Sequence, residues 1–187
     1  MNGEELLKRY ASGERNFRQV NLSRAILKEF NLAGIDLSDA TLTEIDLTGA
    51  NLEKATLDRA SLELANLSQA NLNRASLQQA NLNSALLYKA ALGKANLSGA
   101  NMSQAILQRT FLREANLSKT ILRAADLQEA NLTNANLARS DLSQANLEGA
   151  FLIEADLTQA NLEGANLDRA ILTSAISPDG SVYQIGG

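Results

Sequence analysis

The chain of 187 residues contains no cysteine and no histidine. Without cysteine there can be no disulfide, no thiol nucleophile and no thiolate metal site. Without histidine the commonest metal ligand and the commonest acid–base group are both missing. A surplus of one charge is lacking as well: the formal net charge is −4, mildly acidic and ordinary for a soluble chain, and it gives no reason to expect nucleic-acid binding. No run of 18 apolar residues occurs, so no membrane-spanning helix is expected. The opening Met1-Asn2-Gly3-Glu4-Glu5 has neither a positive start nor an apolar core, so no secretory signal is expected and a cytoplasmic setting follows. There is no Gly-rich phosphate loop, zinc spacing or calcium-binding nonapeptide, and the carboxylates are scattered. The expectation is no catalytic residue, no cofactor and no metal.

What is present is a beat of five. From Phe17 to Leu172 every fifth residue is large and apolar, leucine throughout after Phe17 except at Met102. Two residues before each stands a second slot, usually alanine, as in Ala65-Asn66-Leu67-Ser68-Gln69 and Ala145-Asn146-Leu147-Glu148-Gly149. A helix cannot use this beat. Steps of five at about 100° per residue rotate each leucine by about 140°, which spreads them around the helix. An extended chain can. Slots two apart share a side, and the residue between them points away. The last two residues of each block are mostly polar or small and suit a corner. A chain that bends every five residues with the same side inward coils up, and stacked coils pair their backbones about 4.8 Å apart. This is a parallel β-solenoid. The beat alone leaves open how many blocks make one coil.

The tandem pattern Ala-(Asn/Asp/Ser/Thr)-Leu-x-x resembles the pentapeptide-repeat family, of the type found in cyanobacteria. The resemblance implies an all-β fold, a right-handed quadrilateral parallel β-helix with four blocks per coil. The 32 blocks from Phe17 to Leu172 would then form about eight coils and a shaft roughly 38 Å long. Three segments are expected: a capping helix and lead-in over 1–14, the solenoid over 15–175, and a turn and closing tail over 176–187.

At the N-terminus Asn2 and Glu5 make a capping-box pattern, and Leu6, Leu7 and Tyr10 form one apolar face. The helix is expected over residues 2 to about 12, with Gly13 as its stop, and to cover the first coil, whose open end would otherwise expose apolar bore and unpaired backbone. The alanine slot is enlarged early, at Val20, Phe30, Ile35 and Ile45, which should seal the bore against that helix. Thr110, Thr120 and Ser140 replace alanine later, each with a hydroxyl expected to bond a neighbouring carbonyl. With four blocks per coil, Asn31, Asn51 and Asn71 should stack, as should Asn96, Asn116 and Asn136. Ser177-Pro178-Asp179-Gly180 signals a turn, after which Val182 and Ile185 are expected to cover the last coil.

Some family members resemble DNA in shape and charge and bind gyrase, and cyanobacterial members include a regulator of heterocyst development that binds a transcription factor. A DNA mimic needs a dense acidic surface. Summed by side, assuming four blocks per coil, the charges here are 0, −2, −2 and +1, so no side is an acidic ladder. The distinctive exterior feature is apolar residues in the outward middle slot: Ile26, Leu86, Ala91, Ile106, Phe111, Ile121, Phe151 and Ile171. Leu86, Tyr88, Ile106, Phe111, Phe151, Ile153 and Ile171 are expected to cluster on two adjoining sides of the C-terminal half. Such clustering points to a surface for a protein partner or for self-association.

Overall fold

The computed structural model describes residues 1–183. Every bridge along the shaft is parallel and joins residues twenty apart, from Asn16↔Asp36 to Asp156↔Ile176. Four five-residue blocks therefore close one coil, and the ladder spans eight coils. Each block contributes a single bridge residue, so extended pairing is confined to isolated rungs between corners.

The block Asn66–Ala70 shows why five residues suffice. Its five N–H groups all find acceptors. Asn66 donates down to Ile45 O at 2.9 Å, while Leu67 and Gln69 donate up to Leu86 O and Tyr88 O at 2.7 and 2.8 Å. Ala70 closes the corner onto Leu67 O at 3.0 Å. The remaining N–H, of Ser68, points outward and is accepted by the Asn66 side-chain Oδ1 at 3.1 Å. The same bond recurs at Asn51, Asn96, Asn116, Asn131 and Asn146, and with Asp at positions 36, 46, 126 and 156. This explains the preference for Asn and Asp in the middle slot: the side chain closes an Asx turn.

At nearly every corner the fourth residue of the block takes positive φ, for example Arg24 at 62° and Gln104 at 57°. This left-handed region costs an ordinary residue roughly 1 kcal/mol or more. Glycine meets it without that cost at Gly34, Gly49, Gly99, Gly149 and Gly164. Elsewhere the upward bond from that residue and the corner bond from the next hold the chain there.

The bore is filled as the beat requires. Leu27 to Leu157 and most alanine-slot residues from Ala40 to Ala155 are fully buried. Ile35 and Ile45 join them, but Phe30 does not. It is 43% exposed, in the first coil, which has a neighbouring coil on one side only. The helix, α1, spans Gly3–Ala11 and is capped by Asn2 Oδ1 accepting from Glu5 N at 2.9 Å. Glu5's own carboxylate lies 3.7 Å from Arg9. Leu6 is buried, Leu7 and Tyr10 pack against the core at their partly covered faces, and Tyr10 donates its hydroxyl to Ala33 O at 2.8 Å. Arg9 lies over the Phe17 ring, 5.4 Å from its centre.

At the other end Gly180 turns the chain and Val182 pairs antiparallel with Ile176. The expectation that Val182 covers the last coil is corrected: its side chain is 57% exposed, and Tyr183 packs on the core instead. One step along an extended segment reverses the face. Ile185 lies outside the described residues.

The three hydroxyls in the bore divide. Thr110 and Thr120 donate to Leu107 O and Leu117 O at 2.7 Å, whereas Ser140 Oγ is buried with no partner. Ser140→Ala should therefore raise stability by about 1 kcal/mol, read from the urea midpoint, while Thr120→Ala should lower it by about 1–2 kcal/mol. The half-buried turn aspartates give a pH dependence. Burial pushes Asp36, Asp46 and Asp141 up, but hydrogen bonds from the hydroxyl and N–H two residues on, with a nearby cation, hold each below the usual carboxylate range. Lowered folded-state values mean that the unfolded chain binds more protons in acid. This stability is present above about pH 4 and lost as pH falls through the folded values. The urea midpoint should hold from neutral pH down to that point and then drop. Asp46→Asn, which keeps an acceptor oxygen, should shallow the drop.

Candidate interaction surface

The exterior has four sides, each a column of middle-slot residues flanked by corner residues. Ion pairs bridge successive coils on all of them: Arg59 with Asp39 at 2.7 Å, Arg24 with Glu44 at 3.1 Å, Arg109 with Glu129 at 2.8 Å and Lys94 with Glu114 at 3.2 Å. Opposite charges stack here rather than like ones. Among the described residues no group of three or more His, Cys, Asp or Glu could hold a metal ion, and no helix is long and apolar enough to cross a membrane.

The asparagine columns form only in part. Asn51 donates to Asn31 and Asn71 to Asn51 at 2.9 and 3.1 Å, and Asn116 donates to Asn96 at 3.1 Å. Where the middle slot is apolar, both this ladder and the turn bond are given up. Leucine, isoleucine and phenylalanine have no oxygen to offer the outward N–H two residues on. Two other blocks solve the same problem with a neighbour: Asn73 Oδ1 reaches up to Gly93 N at 2.8 Å, beside Ala91, and Asp58 Oδ1 reaches Gln78 N at 2.9 Å, beside Ser76.

The predicted cluster falls into two groups, while Ile26, 70% exposed, and Ile121, 41% exposed, stand outside both on rungs with polar partners. Leu86 pairs with Ile106 on one side, and Phe111 lies one block beyond Ile106, around the corner. Leu86 and Phe111 are exposed by 41% and 55%, whereas Ile106 and Tyr88 are half-buried. The second group is Phe151 paired with Ile171, both about two-fifths exposed, with Ile153 half-buried beside them. Asn131 stands between Phe111 and Phe151 in the column, so the strip is interrupted by a polar coil.

Tyr88 is held at the edge of the first group. The Lys89 ammonium lies 5.1 Å from its ring centre, and hydrogen bonding to Lys89, then to Arg109, lowers its pKa. Leu64, 52% exposed at a corner, also belongs to the exposed apolar set. The signal for it was an apolar residue in a slot that is otherwise polar or small.

The family model "Pentapeptide repeats" matches this chain in eight copies, over residues 16–53, 45–83, 65–104, 95–134 and 135–173. Among solved structures, the chain is 35% identical to HetL, a pentapeptide repeat protein involved in heterocyst differentiation regulation from the cyanobacterium Nostoc sp. strain PCC 7120. That likeness covers 98% of this chain and 100% of HetL, with a TM-score of 0.34. A pentapeptide repeat protein of Nostoc PCC 7120, alr5209, is 35% identical over 59% of this chain and 80% of its own, with a TM-score of 0.30. QnrB1, a plasmid-mediated fluoroquinolone resistance protein, is 20% identical over 86% of each chain, with a TM-score of 0.43. Comparison with curated proteins finds no match.

If the apolar middle slots are kept for recognition, reverting them should stabilise the shaft. Leu86→Asn, placed over Asn66, and Phe151→Asn, placed over Asn131, should each raise stability, read from the urea midpoint, by about 1 kcal/mol through the restored turn bond. A fall in stability would mean that these side chains serve the fold.

Proposed function

Because the chain belongs to the pentapeptide-repeat family, we propose that it is a non-enzymatic scaffold whose exterior binds another protein or a second copy of itself. The right-handed sense of the coil and a cytoplasmic setting are part of the same reading. The observation that carries it is the placement of apolar side chains in the middle slot. There they cost the chain a turn acceptor and remain in water, at Leu86, Phe111, Phe151 and Ile171. Exposed aromatics of this kind are favoured anchors in protein interfaces. The pairing of opposite charges between coils and the absence of an acidic ladder weigh against mimicry of DNA.

The double variant Phe111→Asp with Phe151→Asp should keep the wild-type circular dichroism and a thermal transition no lower than wild type, since Asp can also close the turn. It should also abolish an association that wild type shows by light scattering or in a pull-down from its native cell. A wild type that stays monomeric and captures nothing removes this reading.

A further inference from the structure

One block of the shaft has almost no exterior. In Ala90–Lys94 the two outward positions before the corner are Ala91 and Gly93. The result is a notch of about 400 Å³ in the side of the solenoid, lined by Glu53, Arg74, Gly93, Lys94, Arg113 and Glu114 together with Asn73. Three cations face two carboxylates there, on a chain whose net charge is −4. Lys94 and Arg113 both pair with Glu114, at 3.2 and 3.4 Å, which leaves Arg74 as the lining cation with no salt bridge among the described residues. The Gly93 N–H is already taken by Asn73, so binding capacity in the notch lies in the cationic side chains. A Cβ at position 93 would stand 2.9 Å from Asn73 Oδ1, so a larger residue there would fill the notch and disturb that bond. Phe111, 55% exposed, belongs to the same block as Arg113 and is bridged to Ala91.

We propose that this notch receives a carboxylate side chain from an acidic segment of a partner protein, with an apolar residue of the same segment resting on Phe111. The proposal deepens the interaction reading above and rests on it. A planar guanidinium with vacant donors suits a carboxylate, which it binds through paired hydrogen bonds. Three cations against two carboxylates leave room for one further carboxylate at the notch.

Fluorescence anisotropy with a short dye-labelled peptide alternating glutamate and phenylalanine tests this, against a counterpart with lysine for each glutamate. Overall charge alone would favour the lysine peptide, so preference for the glutamate peptide reports the notch. Wild type should bind the glutamate peptide saturably, and binding should weaken as salt rises from about 50 to 500 mM. Arg74→Glu and Gly93→Gln should each weaken it about tenfold or more, which is about 1.4 kcal/mol. Lys119→Glu, the same charge change on the neighbouring side, should leave it unaltered. Preference for the lysine peptide, or equal losses in Arg74→Glu and Lys119→Glu, overturns the proposal. So does an oligonucleotide that binds with the Arg74 dependence while the glutamate peptide does not. The apolar interface is judged separately by Phe111→Asp with Phe151→Asp: an association that survives Arg74→Glu leaves that interface standing without the notch.

Discussion

In each five-residue block inside the stack four N–H groups find backbone carbonyls, two above, one below and one across the corner, and the fifth depends on a side chain. That dependence organises the exterior. An unpaired N–H at the surface can turn to water, so the middle slot tolerates exceptions, whereas a lost rung inside the ladder would not be tolerated. Asn and Asp satisfy the fifth group locally. Asn73 and Asp58 satisfy it from the coil below. Leu86, Ile106, Phe111, Phe151 and Ile171 leave it to solvent.

This separation of duties leaves the outward side chains free to vary. Leucine and alanine hold the bore and the backbone holds the stack, so each block adds burial and rungs whatever its outward side chains are. Ion pairs between coils sit on the outside, largely exposed, and contribute little to stability. The shaft therefore accepts a notch at Gly93 and exposed aromatics at Phe111 and Phe151 without losing its ladder. Only the ends need special treatment. A nine-residue helix is too short to stand alone and is held by Leu6 in the core and Tyr10 on Ala33 O. Tyr183 makes the corresponding contact at the far end.

Much of this was legible from residue order. The beat of five excluded a helix and put Leu and Ala inward because alternate residues of an extended chain share a face. The N-terminal helix was readable from Asn2, Leu6, Leu7 and Tyr10, within a residue of its observed bounds. Other features were hidden. Corners at Arg24, Gln104 and Lys119 adopt a left-handed backbone that their side chains do not favour, so composition carried no sign of it. Ser140 looks like Thr110 and Thr120 in the sequence but lacks a partner for its hydroxyl. Phe30 occupies a bore slot by register, yet in the first coil, with a neighbouring coil on one side only, it stays 43% exposed.

By itself the sequence determined which residues face the bore and which face solvent, since that follows from a period of two within each block and a bend after it. The tertiary structure decided which exterior residues meet. Neighbours on a side come from blocks twenty residues apart, and the beat of five is equally compatible with other numbers of blocks per coil. Closure at four blocks puts Leu86 on Ile106 and Phe151 on Ile171, separates Phe111 from Phe151 by Asn131, and gathers Arg74, Lys94 and Arg113 around Gly93. Long-range stacking sets those contacts, and no local preference along the chain encodes them.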